Sequence, residues 1–265
     1  MATFQTRGFN LAYDDIRPAG GEAGTVLLVH GFATSRAENW RRLGWFGAFE
    51  RKGYRTVALD LLGHGESDKP HDPAAYGRAN MVGDVAALLD HLDVGRVDLM
   101  GYSMGARLSL QLALEHPGRI ANLILGGIGG RMLPGGAPEA ERTSTMTMAQ
   151  AMQAEDPQSI TEPTLKGFRL FADGQGEDRL ALAACSQGQG SPVDPDELPG
   201  LTMPVLVVAG SRDEMAGSPQ ALADAIPGAK AVTLPGCDHF SAIPHALYKA
   251  AVFDFLEGWP EEEGF

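Results

Sequence analysis

Val97-Asp98-Leu99-Met100-Gly101-Tyr102-Ser103-Met104-Gly105-Ala106-Arg107-Leu108-Ser109-Leu110 is the stretch on which the fold turns. Its opening residues form a short apolar run suited to a buried strand, and from Met104 onward the apolar residues recur at helical spacing. Between the two lies Gly-x-Ser-x-Gly. A strand that passes into a helix within so few residues strains the backbone at the central serine, and a small residue on either side lets the chain close that tightly. The setting is that of a nucleophile elbow, with Ser103 as the candidate nucleophile.

The same alternation of short apolar runs and longer helical patterns continues in both directions. Strand-like runs fall at residues 25–29, 55–59, 97–100, 123–126, 205–209 and 231–234, with a hairpin at 3–8 and 10–14. Helical patterns fit 37–52, 80–92, 104–115, 219–226 and 244–257. Strands alternating with helices predict an α/β domain with a mostly parallel, open sheet flanked by helices. Residues 127–200 break this rhythm, being rich in Gly, Pro, Met, Thr and Gln. They are expected to form a small helical insertion, with short helices at 143–154, 164–173 and 178–186, set into a core made of residues 1–126 and 201–265.

The bulk numbers narrow the function classes. A chain of 265 residues, 44% hydrophobic and 21% charged, can bury a full core without staples. Its formal net charge of -13 repels phosphate backbones and anionic lipid surfaces, so nucleic acid and membrane are poor partners and a small molecule is the expected one. The two cysteines, Cys185 and Cys237, form neither a disulfide framework nor a metal-ligand spacing. With no signal-like start and no long apolar run, a cytoplasmic location is expected. No dinucleotide fingerprint, phosphate-binding loop or zinc-protease motif is present, so neither a cofactor nor a metal is expected.

A serine hydroxyl needs a base to take its proton as it attacks. Of the seven histidines, His239 is the candidate, because it lies in a loop after the last strand and before the final helix. His30 and His64 sit in Gly-rich loops and are expected to shape those loops by hydrogen bonding. The imidazole in turn needs a carboxylate to fix its tautomer. Asp213, just past the run 205–209, is placed for this, with Glu214 in reserve; Asp238 is too near His239 in sequence to reach its far ring nitrogen.

The chain order Ser103, Asp213, His239, together with His30-Gly31-Phe32 and Asp60-Leu61-Leu62-Gly63-His64-Gly65-Glu66-Ser67, resembles the α/β-hydrolase family over nearly the whole sequence. The resemblance implies an α/β-hydrolase fold with 127–200 as its cap, and an oxyanion hole made by the backbone N–H groups of Phe32 and Met104. Met104 would also begin a helix, which leaves its N–H without an intrahelical acceptor. The activity implied is hydrolysis of a small carboxylic ester or lactone through an acyl-enzyme. The motif Gly-Tyr-Ser-Met-Gly-x-Arg also resembles the menaquinone-pathway lyase branch, in which the arginine binds a substrate carboxylate. That makes Arg107, with Arg131 and Tyr102, a candidate substrate-binding residue, and keeps open a lyase or carbon–carbon bond hydrolase acting on a carboxylate-bearing substrate. The other reading of Arg107 is a structural salt bridge in the core. A further alternative is a non-catalytic small-molecule-binding member of the fold.

Overall fold

The computed structural model describes residues 2–136, 146–188 and 194–258. Eight strands form one sheet: β1 (Ala2–Thr6), β2 (Phe9–Ile16), β3 (Gly24–Val29), β4 (Tyr54–Leu59), β5 (Val97–Tyr102), β6 (Ile120–Gly126), β7 (Val205–Gly210) and β8 (Lys230–Leu234). Their order across the sheet is β1-β2-β4-β3-β5-β6-β7-β8. The β1–β2 and β2–β4 pairs are antiparallel, and all the others are parallel. The chain runs outward from β3 to β4 and then returns to the other side of β3 with β5. In an open α/β sheet such a reversal leaves a crevice at the carboxyl ends of the two inner strands. Here β3 ends at Val29, which lies in register with Gly101, one residue before the end of β5.

The near-continuous apolar character of the central strands follows from burial on both faces. Leu27, Val29, Leu99, Leu123, Leu125 and Val207 point to one side, toward α2 (Arg78–His91), α3 (Met104–Glu115) and α7 (Pro219–Asp224). Val26, Leu28, Met100, Ile124, Leu206 and Val208 point to the other, where α1 (Trp45–Arg51) and α8 (Ala246–Leu256) supply Trp45, Phe49, Tyr248 and Val252. Each strand residue therefore meets one of two helical layers, with polar residues mostly displaced to the edges and ends.

The helix expected at 37–52 is two pieces. A π-helical turn, Ala37–Arg41, is followed by α1, and the break falls at Gly44, whose φ of 76° no helix interior accommodates. The start of the expected insertion keeps close contact with the core. The backbone N–H of Gly127 bonds to Val208 O (2.9 Å), Gly130 to Ser218 O (2.8 Å) and Arg131 to Ala216 O (3.1 Å), so this first segment remains tied to β7 and the loop after it. Beyond it come α4 (Met148–Gln153), α5 (Pro163–Gln175) and α6 (Arg179–Gly188). Residues 143–145 of the first expected helix lie outside the described residues. The observed start at Met148 is set by a capping box between Thr147 and Gln150. Ala149, Met152, Phe168, Ala172, Leu182 and Ala183 form a small apolar cluster that closes on Ala33, from the loop after β3. Among the described residues no helix is long and apolar enough to cross a membrane.

Candidate active site

The elbow is strained where the sequence expects it. Ser103 has φ 53° and ψ -113°, in the region L-residues avoid. It is held there by its own N–H to Gly126 O (2.8 Å) and by Arg107 N–H to its carbonyl (3.1 Å). The two flanking glycines are needed for close approach. A Cβ on Gly101 would strike the backbone of Gly105 and Ala106, and a Cβ on Gly105 would strike the carbonyl groups of Val29 and His30.

Two further loops meet Ser103 at the sheet's carboxyl edge. His239 Nε2 lies 2.9 Å from Ser103 Oγ, and His239 Nδ1 lies 2.8 Å from Asp213 Oδ2. The other oxygen of Asp213 accepts the N–H groups of Met215 (3.1 Å) and Ala216 (2.9 Å), which fixes the carboxylate's orientation. Asp213 is 4% exposed, whereas Glu214 faces solvent, so burial separates the two candidates. Asp238 turns away to accept from Phe240 N–H, Ser241 N–H and Ser241 Oγ; the Ser241 hydroxyl chiefly holds its carboxyl below the usual range. Tyr102 donates to His239 O at 2.5 Å, so its hydroxyl anchors the histidine loop while its ring faces the cavity.

Behind the site, His30 acts as a bolt, while His64 bonds within its own loop, to Leu62 O (3.0 Å). His30 is fully buried; its Nδ1 is 2.7 Å from Gly31 O and its Nε2 accepts Leu61 N–H (3.0 Å), which joins the loop after β3 to the loop after β4. Burial pushes its pKa down to about 4 and that of His64 down to about 3, so both are neutral at physiological pH. Asp60 completes the arrangement by accepting the backbone N–H groups of Arg36 (2.7 Å) and Glu66 (2.8 Å) and pairing with the Arg36 guanidinium. The segment Asp60–Ser67 thereby holds the Gly31-Phe32 backbone beside the elbow.

The space above Ser103 is small, about 30 Å³, which is room for roughly two waters. Gly31, Phe32, Thr34, Asn39, Tyr102, Ser103 and His239 form its floor and walls, and Phe168, Phe171, Phe240 and Ile243 complete it. Phe240 stands 5.7 Å from Phe168 and 5.3 Å from Phe171, ring to ring, and Phe32 stands 5.9 Å from Phe168. These aromatics come from three separate parts of the chain, and sequence reasoning did not assemble them. Thr34, two residues after the His-Gly-Phe loop, and Asn39, in the π-helical turn that follows it, were also missed. Arg107 is exposed on α3, and neither it nor Arg131 lines the cavity; the backbone and aliphatic stem of Arg131 pack beside Gly217. Neither the carboxylate-binding nor the core salt-bridge reading of Arg107 matches an exposed helix position. Among the described residues no group of three or more His, Cys, Asp or Glu side chains is placed to hold a metal ion.

This architecture has known counterparts. The chain is 36% identical over 232 residues to the dihydrolipoyllysine-residue acetyltransferase component of an acetoin cleaving system from Pseudomonas putida, a match covering 83% of this chain and 60% of that protein. It is 31% identical over 262 residues to a putative carbamate hydrolase, RutD, of Variovorax paradoxus, covering 92% of this chain and 93% of the relative. Among solved structures, a hydrolase from Pseudomonas aeruginosa superposes with a TM-score of 0.76 at 27% identity, covering 96% of this chain and 97% of the other. Residues 24–157 match the model of the alpha/beta hydrolase fold family, and with a relative aligned along nearly its whole length, the chain belongs to that family.

Proposed function

We propose that this protein is a serine hydrolase that cleaves small carboxylic esters or lactones. The observation that carries the reading is the unbroken chain of contacts Ser103 Oγ to His239 Nε2 (2.9 Å) and His239 Nδ1 to Asp213 Oδ2 (2.8 Å), set on a strained elbow. His239 takes the serine proton as Oγ adds to the substrate carbonyl carbon, and Asp213 holds the imidazole in the tautomer that leaves Nε2 free to do so. The carbonyl oxygen becomes an oxyanion, which the N–H groups of Phe32 and Met104 receive. His239 then returns the proton to the departing alkoxide as the carbon–oxygen bond breaks, leaving an acyl-serine. A water activated by the same histidine hydrolyses the acyl group and restores Ser103. In this reading α4–α6 are a cap whose Phe168 and Phe171 exclude bulk water from the reacting carbonyl.

The cavity also bears on the alternative of a carboxylate-bearing lyase or carbon–carbon cleavage substrate. Among the described residues no lysine or arginine lines it, so an anionic substrate would find no counter-ion there. The neutral ester or lactone is favoured on that ground. The test is Ser103→Ala measured with 4-nitrophenyl acetate and a fluorophosphonate probe. Turnover is expected to fall roughly 10³-fold or more with loss of labelling. Near-normal turnover by the variant would remove Ser103 as nucleophile.

A further inference from the structure

Asn39 is 3% exposed and lies in the π-helical turn that follows the loop after β3. Its Oδ1 accepts Gly31 N–H at 3.3 Å, which assigns oxygen and nitrogen within the carboxamide. Its Nδ2 is buried and has no acceptor among the described residues, yet the side chain lines the cavity that contains Ser103 and His239. The position a Cβ would take on Gly31 is 3.5 Å from Ser103 Cβ and 3.8 Å from Asn39 Oδ1, so serine and carboxamide flank the same glycine. A buried amide with idle donors is a cost to the folded protein that a bound acceptor removes.

We propose that Asn39 is a specificity-determining residue whose Nδ2–H binds a neutral acceptor oxygen on the acyl side of the substrate, next to the reacting carbonyl. The assignment deepens the serine-hydrolase reading and rests on it for the identity of the reacting carbonyl. Three constraints lead to it. The leaving oxygen must reach His239 Nε2 for its proton, so the acyl chain runs the other way, toward the Gly31 and Asn39 side. Phe32, Phe168, Phe171, Phe240 and Ile243 offer that chain only apolar surface, which makes Asn39 and the Thr34 hydroxyl the polar features an acyl group meets. With no cation among the described residues of the lining and Asp213 directly behind His239, the acceptor is an ether, hydroxyl or ketone oxygen and not a carboxylate.

An isosteric pair tests this: 4-nitrophenyl methoxyacetate and 4-nitrophenyl butyrate share length and leaving group and differ by one oxygen for a methylene. The ether's intrinsic reactivity cancels when each variant is divided by wild type. Asn39→Asp keeps an acceptor for Gly31 N–H but removes the donor, and Asn39→Ala removes both. Each is expected to lose about tenfold more kcat/KM on the methoxyacetate than on the butyrate. Equal losses on both esters would make Asn39 a support for Gly31 alone and overturn the proposal. A binding measurement separates it from the hydrolase reading. N-methylmethoxyacetamide is expected to bind the wild-type protein more tightly than N-methylbutyramide and to shift the Asn39 side-chain amide resonance. Equal binding with no shift overturns the Asn39 assignment whatever the turnover, whereas undiminished turnover in Ser103→Ala overturns only the hydrolase reading.

Discussion

Gly105→Ala probes how closely the elbow helix must approach the sheet. A methyl group at this position would fall inside the contact distance of the Val29 and His30 carbonyl oxygens, both of them backbone atoms that cannot swing aside. Carbon and oxygen rest at about 3.3–3.6 Å, so relieving the overlap requires α3 to retreat from the end of β3 by about 1 Å. The first residue of that helix follows Ser103, and Ser103 Oγ sits 2.9 Å from His239 Nε2. A displacement of this size at a reacting group is expected to lower kcat by about 10²-fold, and overpacking is expected to cost about 1–3 kcal/mol of stability. Gly83→Ala is the control. Gly83 lies within α2 with no heavy atom near its missing Cβ, so the substitution is expected to stabilise by up to about 1 kcal/mol without touching kcat. Urea unfolding and 4-nitrophenyl acetate kinetics on both variants decide the matter. A Gly105→Ala protein with wild-type kcat and midpoint would refute the steric argument.

Acid should destabilise the protein through the two loop histidines. Their folded pKa values, about 4 for His30 and about 3 for His64, lie below the unfolded value near 6.5, so the unfolded chain takes up protons that the folded chain refuses. Their contribution is unaffected above pH 6.5 and is lost as pH falls toward 4, on the order of 3 kcal/mol per histidine. His64→Leu is expected to flatten the fall in Tm between pH 7 and 4.5, and curves that stay parallel to wild type would contradict the assignment. At the mouth of the cavity, Phe240 is 44% exposed and leans on Phe168 and Phe171. Phe240→Ala is expected to raise kcat/KM for a 4-nitrophenyl octanoate about tenfold relative to the acetate, and an unaltered chain-length profile would show that the aromatic collar does not limit acyl size.

The parts of the molecule legible in the sequence are those fixed by local pattern. The helix expected at 104–115 has those bounds in the structure, because strand, turn and helix each leave a signal within a few residues. The meeting of Ser103 and His239 follows from the same local signals, each lying in a loop bracketed by regular elements at the sheet's carboxyl edge. Asp213 could be separated from Glu214 only by its burial and by the two amides that grip it. The aromatic collar was illegible because Phe32, Phe168 and Phe240 meet across long chain separations that no periodicity encodes. Arg107 was legible and was read too narrowly. Arg107, Gln111 and Glu115 recur every fourth residue and form the polar stripe of α3, opposite Gly105, Ala106, Ser109 and Ala113 on its buried side.

That stripe decides how charge enters the substrate question. The sequence offers one reason for an anionic substrate, the arginine four residues beyond the serine, and one against it, the net charge of -13. Neither acts at the reacting carbonyl. Arg107 points outward from α3, and the field of dispersed surface carboxylates is screened within about 8 Å at physiological ionic strength. Under the proposed hydrolase reading, what selects at the serine is desolvation. A carboxylate entering a cavity of about 30 Å³ walled by phenylalanines would shed its water and meet no cation among the described lining residues, while a neutral ester asks only for the neutral donors assigned to it in the proposed reading. On this reading discrimination against anions belongs to the aromatic wall, and the kcat/KM ratio of a neutral over an anionic ester is expected to persist at high salt, where any effect of net charge would vanish.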